Sequence, residues 1–283
     1  MALRDIKHRI ASVTNTRQIT NAMKMVAAAH LRRAQTRIMA ARPYANHLDT
    51  MLRTLKKKNP NSSHVLLDDT PRQGKELLVV VTGDRGLCGS FNTNIIRRAQ
   101  KFVQQNPDTD IICVGRRAYD ALRKRTDRVI ASYVGIFNEM DFARSRDVAE
   151  QVLDLYLNHG YTKIEVLYNE FKSAIQQNVI FKTVLPVQPL ESDIVSGVDF
   201  LYEPDEDTII EELGRKVVHV DMWRIMLESS AAEQGARMTA MDSATDNATE
   251  MIGALTLQFN RERQAHITKE IIEIASGADA INQ

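Results

Sequence analysis

The sequence predicts an α/β fold: a long antiparallel coiled coil of N- and C-terminal helices, plus a Rossmann-like α/β domain built from the middle of the chain. Three observations predict it. In the last quarter of the chain apolar residues return every three or four positions, the period of a helix and close to that of a coiled-coil seam. The same spacing fills the first 58 residues. Between these ends, short apolar runs alternate with helical stretches, the grammar of a sheet with parallel strands covered by helices. The predicted bounds are 1–58, 75–190 and 206–276.

The N-terminal helix carries Ile6, Ile10, Val13, Ile19, Met23, Val26, Ala34, Ile38, Leu48, Leu52 and Leu55 as its apolar positions, with a slip in spacing between Val13 and Ile19. Pro43 lacks an amide donor and is expected to kink or distort the helix. Lys56, Lys57 and Lys58 complement the C-terminal dipole, and Asn59-Pro60-Asn61 stops the helix. Alanines such as Ala27, Ala28 and Ala29 allow a partner helix to approach closely.

The middle segment follows a polar linker at 59–75. Leu77 to Val81 reads as a buried strand, followed by the glycine-containing loop Gly83 to Gly89 and a helix from Phe91 to Gln105. Further strands are expected at Asp110 to Val114, Val129 to Val134, Lys163 to Tyr168 and Val179 to Pro186. Helices are expected near Arg117 to Arg125 and from Asp141 to Leu157.

The C-terminal helix has no proline and a seam of Leu213, Val217, Val220, Trp223, Leu227, Ala231, Met238, Met241, Ala244, Ala248, Ile252, Leu255 and Phe259. After a polar break come Ile267, Ile271 and Ile274, with Gly277 placed to terminate the helix. A helix of roughly 70 residues is about 105 Å long, more than the diameter of a globular domain of this mass. Its stripe needs a partner helix and a sleeve of other chains.

Net charge is +1, but its distribution is uneven. Residues 1–58 hold thirteen Lys or Arg against Asp5 and Asp49, so the first helix is expected to face an acidic surface or to present a solvated basic face. No run of 18 apolar residues occurs, so no transmembrane helix is expected, and MALRDIKHRI lacks the apolar core of a signal peptide. Cys88 and Cys113 make no disulfide framework, which fits a reducing compartment, and neither has metal-ligand spacing to other Cys or His. No metal and no cofactor are expected.

The loop Gly83 to Gly89 is spaced G-x-x-G-x-x-G, which is neither the dinucleotide fingerprint nor a P-loop; a tight structural turn explains it equally. The seven histidines are scattered without a fixed Ser or Cys partner, and no pair of carboxylates stands out as an acid–base set. From Gln258 to Gly277 the seam thins and polar residues crowd all faces. Arg263 and Gln264 there are good hydrogen-bonding heads for a carboxylate or amide of a partner.

Four stretches in order resemble one family. They are Asn15-Thr16-Arg17-Gln18-Ile19-Thr20-Asn21-Ala22-Met23-Lys24-Met25, Thr82-Gly83-Asp84-Arg85-Gly86-Leu87-Cys88-Gly89, Ala236-Arg237-Met238 through Asp246-Asn247, and Ile267-Thr268-Lys269-Glu270 through Gly277-Ala278. Leu201-Tyr202-Glu203-Pro204 also fits. With these the chain resembles the F-type ATP synthase gamma subunit over essentially its whole length. The resemblance implies a non-catalytic central rotor: the helices turn within a ring of three alpha and three beta subunits, while the α/β domain meets the epsilon subunit and the membrane c ring. It implies that the ATP chemistry belongs to beta. It also implies that Met23, Arg263, Gln264, Thr268 and Glu270 face beta, and that Tyr202 and Glu203 lie near the epsilon and c-ring contacts. The expected location is the cytoplasmic side of a bacterial inner membrane, peripheral and without insertion, with no nucleic acid bound. Ser90 stands where the family usually has glycine, and His266 where it has a small residue.

Two other readings remain open on the residues alone. A DNA-associated coiled-coil protein would use the basic N-terminal arm on phosphates. A Rossmann-type enzyme would use the Gly83 to Gly89 loop on a nucleotide.

Overall fold

The computed structural model describes residues 3–58, 64–66, 74–138, 140–187, 203 and 205–281. Ten elements follow in order: α1 (Leu3–Lys58), β1 (Lys75–Val81), α2 (Phe91–Gln105), β2 (Thr109–Val114), α3 (Arg116–Leu122), β3 (Val129–Tyr133), α4 (Phe142–Asn158), β4 (Tyr161–Phe171), β5 (Gln177–Leu185) and α5 (Glu206–Ile281). They form two compact units. One comprises residues 1–26 and 238–283, the other residues 27–237, so α1 and α5 contribute to both.

The larger unit is built on a five-stranded sheet in the order β3-β2-β1-β4-β5. Strands β3, β2, β1 and β4 are parallel, and β5 runs antiparallel to β4. The sequence reading expected parallel strands throughout. The last pair differs because only residues 172–176 join β4 to β5, too few for the crossover that parallel neighbours need.

Strand alternation sorts the core into two layers. Leu78 and Val80 of β1, with Ile111 and Cys113 of β2, face α2, where Phe91, Ile95, Ala99 and Val103 form a stripe at four-residue spacing. Leu77, Val79, Val81, Ile112 and Val114 face the other way, onto Val148, Ala149, Val152 and Leu153 of α4. The same layer takes Leu48, Leu52 and Leu55 of α1 and Val217, Val218, Met222 and Met226 of α5. Each fully buried side chain of this size contributes about 1.5–3 kcal/mol, so this unit carries a full core.

Within this unit the least exposed positions of α1 keep a strict heptad: Ala27, Leu31, Ala34, Ile38, Ala41, Ala45, Leu48, Leu52, Leu55. The helix continues through Pro43, which sits on the exposed face. The carbonyl that Pro43 leaves without an amide partner belongs to Met39, an exposed residue, so water can serve it.

The smaller unit pairs the start of α1 with the end of α5. Lys24 forms an ion pair with Asp242, and the Thr20 and Thr245 hydroxyls are 2.7 Å apart. As the number rises on one helix it falls on the other, so the pair is antiparallel. On α5 the seam is Met238, Met241, Thr245, Ala248, Ile252, Leu255, Phe259 and Glu262. On α1 it is Leu3, Ile6, Ile10, Val13, Arg17, Thr20 and Lys24. There is no slip after Val13. The heptad is held by placing Arg17, Thr20 and Lys24 in the seam, which leaves Ile19 and Val26, expected as seam residues, 60% and 57% exposed. Gly277 does not end α5, which continues to Ile281; the alanines at 278 and 280 are strong helix formers that carry it past the glycine.

Candidate partner interface

The smaller unit leaves two surfaces exposed. The first is the end of α5. Extending the register set by Thr20 and Thr245 places Ile6 opposite Phe259 and Leu3 opposite Glu262. Beyond Glu262 every residue from Arg263 to Ile274 is exposed. Arg263, Gln264, Thr268 and Glu270 thus share one short length of helix. Glu270 lies 3.4 Å from His266, one turn away. Ile267, Ile271 and Ile274, expected as a seam, are exposed, and lie beyond Glu262, the α5 position opposite the first described residue of α1, Leu3.

The second surface is on α1. Met23 is half-buried beside Lys24, and with Ile19 and Val26 it forms an apolar stripe directed away from the seam. In the register above, Met23 lies near Asp242, some twenty helical residues from Arg263, or about 30 Å. Met23 and the Arg263 group therefore address separate places. A strict heptad reading of Thr20 and Lys24 into the seam is the signal that would have exposed Ile19 and Val26 from sequence.

In the larger unit Glu203 is exposed, and Tyr202 lies outside the described residues. The loop after β1 is also in this unit. In a sheet of this order, ligands bind beyond the carboxyl ends of the strands where the crossovers change direction, between β1 and β4. Here the chain's own helix fills that place. Glu233 of α5 is 5% exposed, and its carboxylate reaches within 2.8 Å of where a Gly83 side chain would begin. Arg237 donates to Glu233 at 2.5 Å and to the Gly86 carbonyl at 3.3 Å. Burial pushes the Glu233 carboxyl above its ordinary value, against the opposing pull of Arg237. A buried carboxylate at this point opposes phosphate. The sequence reading passed over Glu233 and named Arg237 only as part of a family motif; their partners in the loop lie some 150 residues earlier in the chain.

The rest of the loop is knitted to neighbouring strands. Asp84 Oδ1 accepts from the backbone amides of Arg116 and Gly135, both at 2.9 Å. Asn92 Oδ1 accepts from the Gly83 amide, and Asn92 Nδ2 donates to the Arg85 carbonyl. The Cys88 thiol is held above its usual range by burial and then by Glu233. These contacts make the glycine loop a structural turn. Among the described residues no three His, Cys, Asp or Glu side chains are grouped to hold a metal. Nor is any described helix long and apolar enough to cross a membrane.

Comparison with known proteins agrees with this geometry. The sequence model of a family described as ATP synthase matches residues 2–281. The ATP synthase gamma chain of Chloroherpeton thalassium is 46% identical over 299 aligned positions, covering 99% of this chain and 98% of the relative. That of Chlorobium phaeobacteroides is 46% identical over 286, with the same coverage. Among solved structures, a chain of the central stalk and c ring of the Tetrahymena thermophila mitochondrial ATP synthase superposes with a TM-score of 0.64 at 28% identity. The superposition covers 80% of this chain and 99% of that one. A chain of the Euglena gracilis mitochondrial ATP synthase shares the fold at a TM-score of 0.71 and 21% identity, covering 99% of this chain and 94% of that one. With paired terminal helices, a mixed sheet between them and relatives matched end to end, this chain belongs to the ATP synthase gamma chain family.

Proposed function

We propose that this chain is the central rotor of a proton-translocating F-type ATP synthase. It couples rotation of a membrane c ring to conformational change, and so to ATP synthesis and hydrolysis, at the beta subunits of an alpha–beta ring. It performs no ATP chemistry itself. The observation that carries this reading is the bare end of α5, where Arg263 to Ile274 are exposed on all faces although Ile267, Ile271 and Ile274 are apolar. In the smaller unit only Ile6, Met241, Ala248 and Leu255 are buried apolar side chains among the described residues. Ordering costs on the order of 1 kcal/mol per residue, so a helix pair with so thin a core gains from a surrounding sleeve.

In this reading Arg263 and Gln264 hydrogen-bond a loop of beta, Thr268 and Glu270 lie beside that contact, and the Ile19–Met23–Val26 stripe faces beta lower on the pair. Tyr202 and Glu203 belong to the contacts with epsilon and the c ring. The basic residues of α1 suit acidic loops of beta, an attraction that tolerates changes of orientation during rotation. The chain works at the cytoplasmic face of a bacterial inner membrane, as a peripheral subunit.

The test is native mass spectrometry of the complex purified through a tag on this chain. One copy with three each of two larger subunits, and ATPase activity, is the expected result. A lone monomer sinks the reading. The site assignment is tested separately by Arg263→Ala with Gln264→Ala: assembly or coupled ATP synthesis should fall while the isolated chain keeps its melting temperature, and unchanged synthesis removes these two residues from the interface.

A further inference from the structure

The sheet of the larger unit ends at β5, which pairs with β4 on one side only. Among the described residues no backbone hydrogen bond to another segment is made along 178–183. An antiparallel strand turns every second N–H and C=O away from its partner, so this edge is a row of open donors and acceptors. Sheet edges are ordinarily blunted by outward lysines, prolines or bulges. β5 has no proline, and pairing with β4 is regular from Gln177 to Thr183. Its single lysine, Lys182, is committed to Asp221 at 2.8 Å. Val179-Ile180-Phe181 lies at mid-strand, a sequence well suited to pairing.

Beside the edge stands a basic wall. α2 contains Arg97, Arg98 and Lys101 and no acid. All three are exposed and make no ion pair among the described residues. Between α2 and β5 is a cleft of about 530 Å³ floored by Phe102, Val179 and Phe181. The Phe102 and Phe181 rings are 5.0 Å apart, and the Arg98 guanidinium lies 5.4 Å from the centre of the Phe181 ring. The α2 residues along this cleft run from Asn94 to Gln105. At 1.5 Å per residue that is about 16 Å, the length of about five residues of extended chain.

We propose that the β5 edge and the basic face of α2 form a docking site for an extended acidic segment of a partner protein, which adds to the sheet as a further strand. The open backbone groups supply hydrogen bonds, and Arg97, Arg98 and Lys101 select the charge. Val179 and Phe181 face α2, so alternate residues of the added strand face it too; carboxylates two apart meet the wall, and the residues between them turn to the opposite face. The guanidinium of Arg98 already covers the Phe181 ring, which favours a carboxylate-bearing chain over the base of a nucleotide. The site lies wholly within the larger unit and does not depend on the rotor reading.

The test uses the purified full-length chain and a fluorescein-labelled peptide of alternating glutamate and valine, about seven residues long, read by fluorescence anisotropy. Saturable binding is expected. It should weaken at least ten-fold when alternate peptide amides are N-methylated, which removes strand pairing. It should also weaken at least ten-fold in Arg98→Glu with Lys101→Glu, two exposed changes that should leave the melting temperature in place, and a lysine–valine peptide should not bind. Absence of saturable binding overturns the proposal. So does equal binding of the N-methylated peptide, indifference to the double variant, displacement of the peptide by inorganic triphosphate at lower concentration than by unlabelled peptide, or occupation of the edge by a second copy of the chain in sedimentation.

Discussion

The hydroxyls of Thr20 and Thr245 meet at 2.7 Å across the seam of the smaller unit. Each hydroxyl also has an acceptor on its own helix to which it can donate: the Arg17 carbonyl at 3.1 Å for Thr20 and the Met241 carbonyl at 2.8 Å for Thr245. Neither is orphaned when the other is removed. Thr20→Val is therefore expected to cost no more than about 1 kcal/mol, and the double change to valine to match or exceed the parent chain. Thermal unfolding of the full chain checks both. The function left to these threonines is register, since a paired polar position penalises every other alignment of the two helices.

Arg237 is the only positive group in direct contact with the Glu233 carboxylate among the described residues. Arg237→Met leaves a buried charge uncompensated, a change expected to cost about 3–5 kcal/mol near neutrality. The sign of its pH dependence follows from burial. Glu233 is held above its ordinary value near 4.5, so the unfolded chain loses this proton first. Its favourable contribution is complete below that value and is lost as pH rises through the folded one. Removing Arg237 moves the folded value further up. Urea midpoints should show a smaller deficit for the variant at pH 5 than at pH 8; an equal deficit at both would assign the loss to packing.

Gly115 has φ +99, and a Cβ added there would lie 2.1 Å from the Thr82 carbonyl oxygen. The close approach lets β1 and β2 end together, with the Thr82 amide bonded to the Val114 carbonyl at 2.8 Å. Gly115→Ala should cost at least about 3 kcal/mol, from backbone strain with a clash added. Soluble expression and melting temperature provide the readout.

Cys113 of β2 is fully buried on the face of the sheet that α2 covers, and burial pushes its thiol up to about 12. The native chain should not react with a disulfide reagent at pH 8, and should react fully once denatured. An alkaline limb of instability follows. Above pH 9 the unfolded thiol ionises and the folded one does not, so this group alone should cost about 1.4 kcal/mol per pH unit until the folded value is reached. Cys113→Ala should flatten that limb in a pH series of unfolding midpoints.

The strands and helices of the middle segment were legible because their signal is local: Leu77 to Val81 is an apolar run, and Phe91, Ile95, Ala99 and Val103 repeat on one helical face. The direction of β5 was legible in principle from the five residues before it, but the alternating strand–helix pattern masked that connection. The seam of α1 was misread where it is polar. Apolar spacing favoured Ile19 and Val26, whereas the pairing of Lys24 with Asp242 is settled by a residue 218 positions away. The Glu233–Arg237 plug was invisible for the same reason: its value depends on which loop the sheet brings beneath it. Arg263 and Gln264 drew attention by their polarity on a thinning seam, and the register accounts for that thinning, since the described part of α1 begins at Leu3 opposite Glu262.

The seam between α1 and α5 joins Thr20 to Thr245, 225 positions later in the chain. During synthesis from the N-terminus, α1 emerges with its heptad stripe exposed and its mate unmade. At about 5–20 residues per second the gap between Thr20 and Thr245 lasts on the order of 10–45 s. Through that interval Ile6 and its neighbours in the first turns of α1 have only each other, or a chaperone, to meet, whereas Leu48, Leu52 and Leu55 can already pack on the sheet and α4. The same arrangement makes α5, which follows every other described element in the chain, the one that completes the fold.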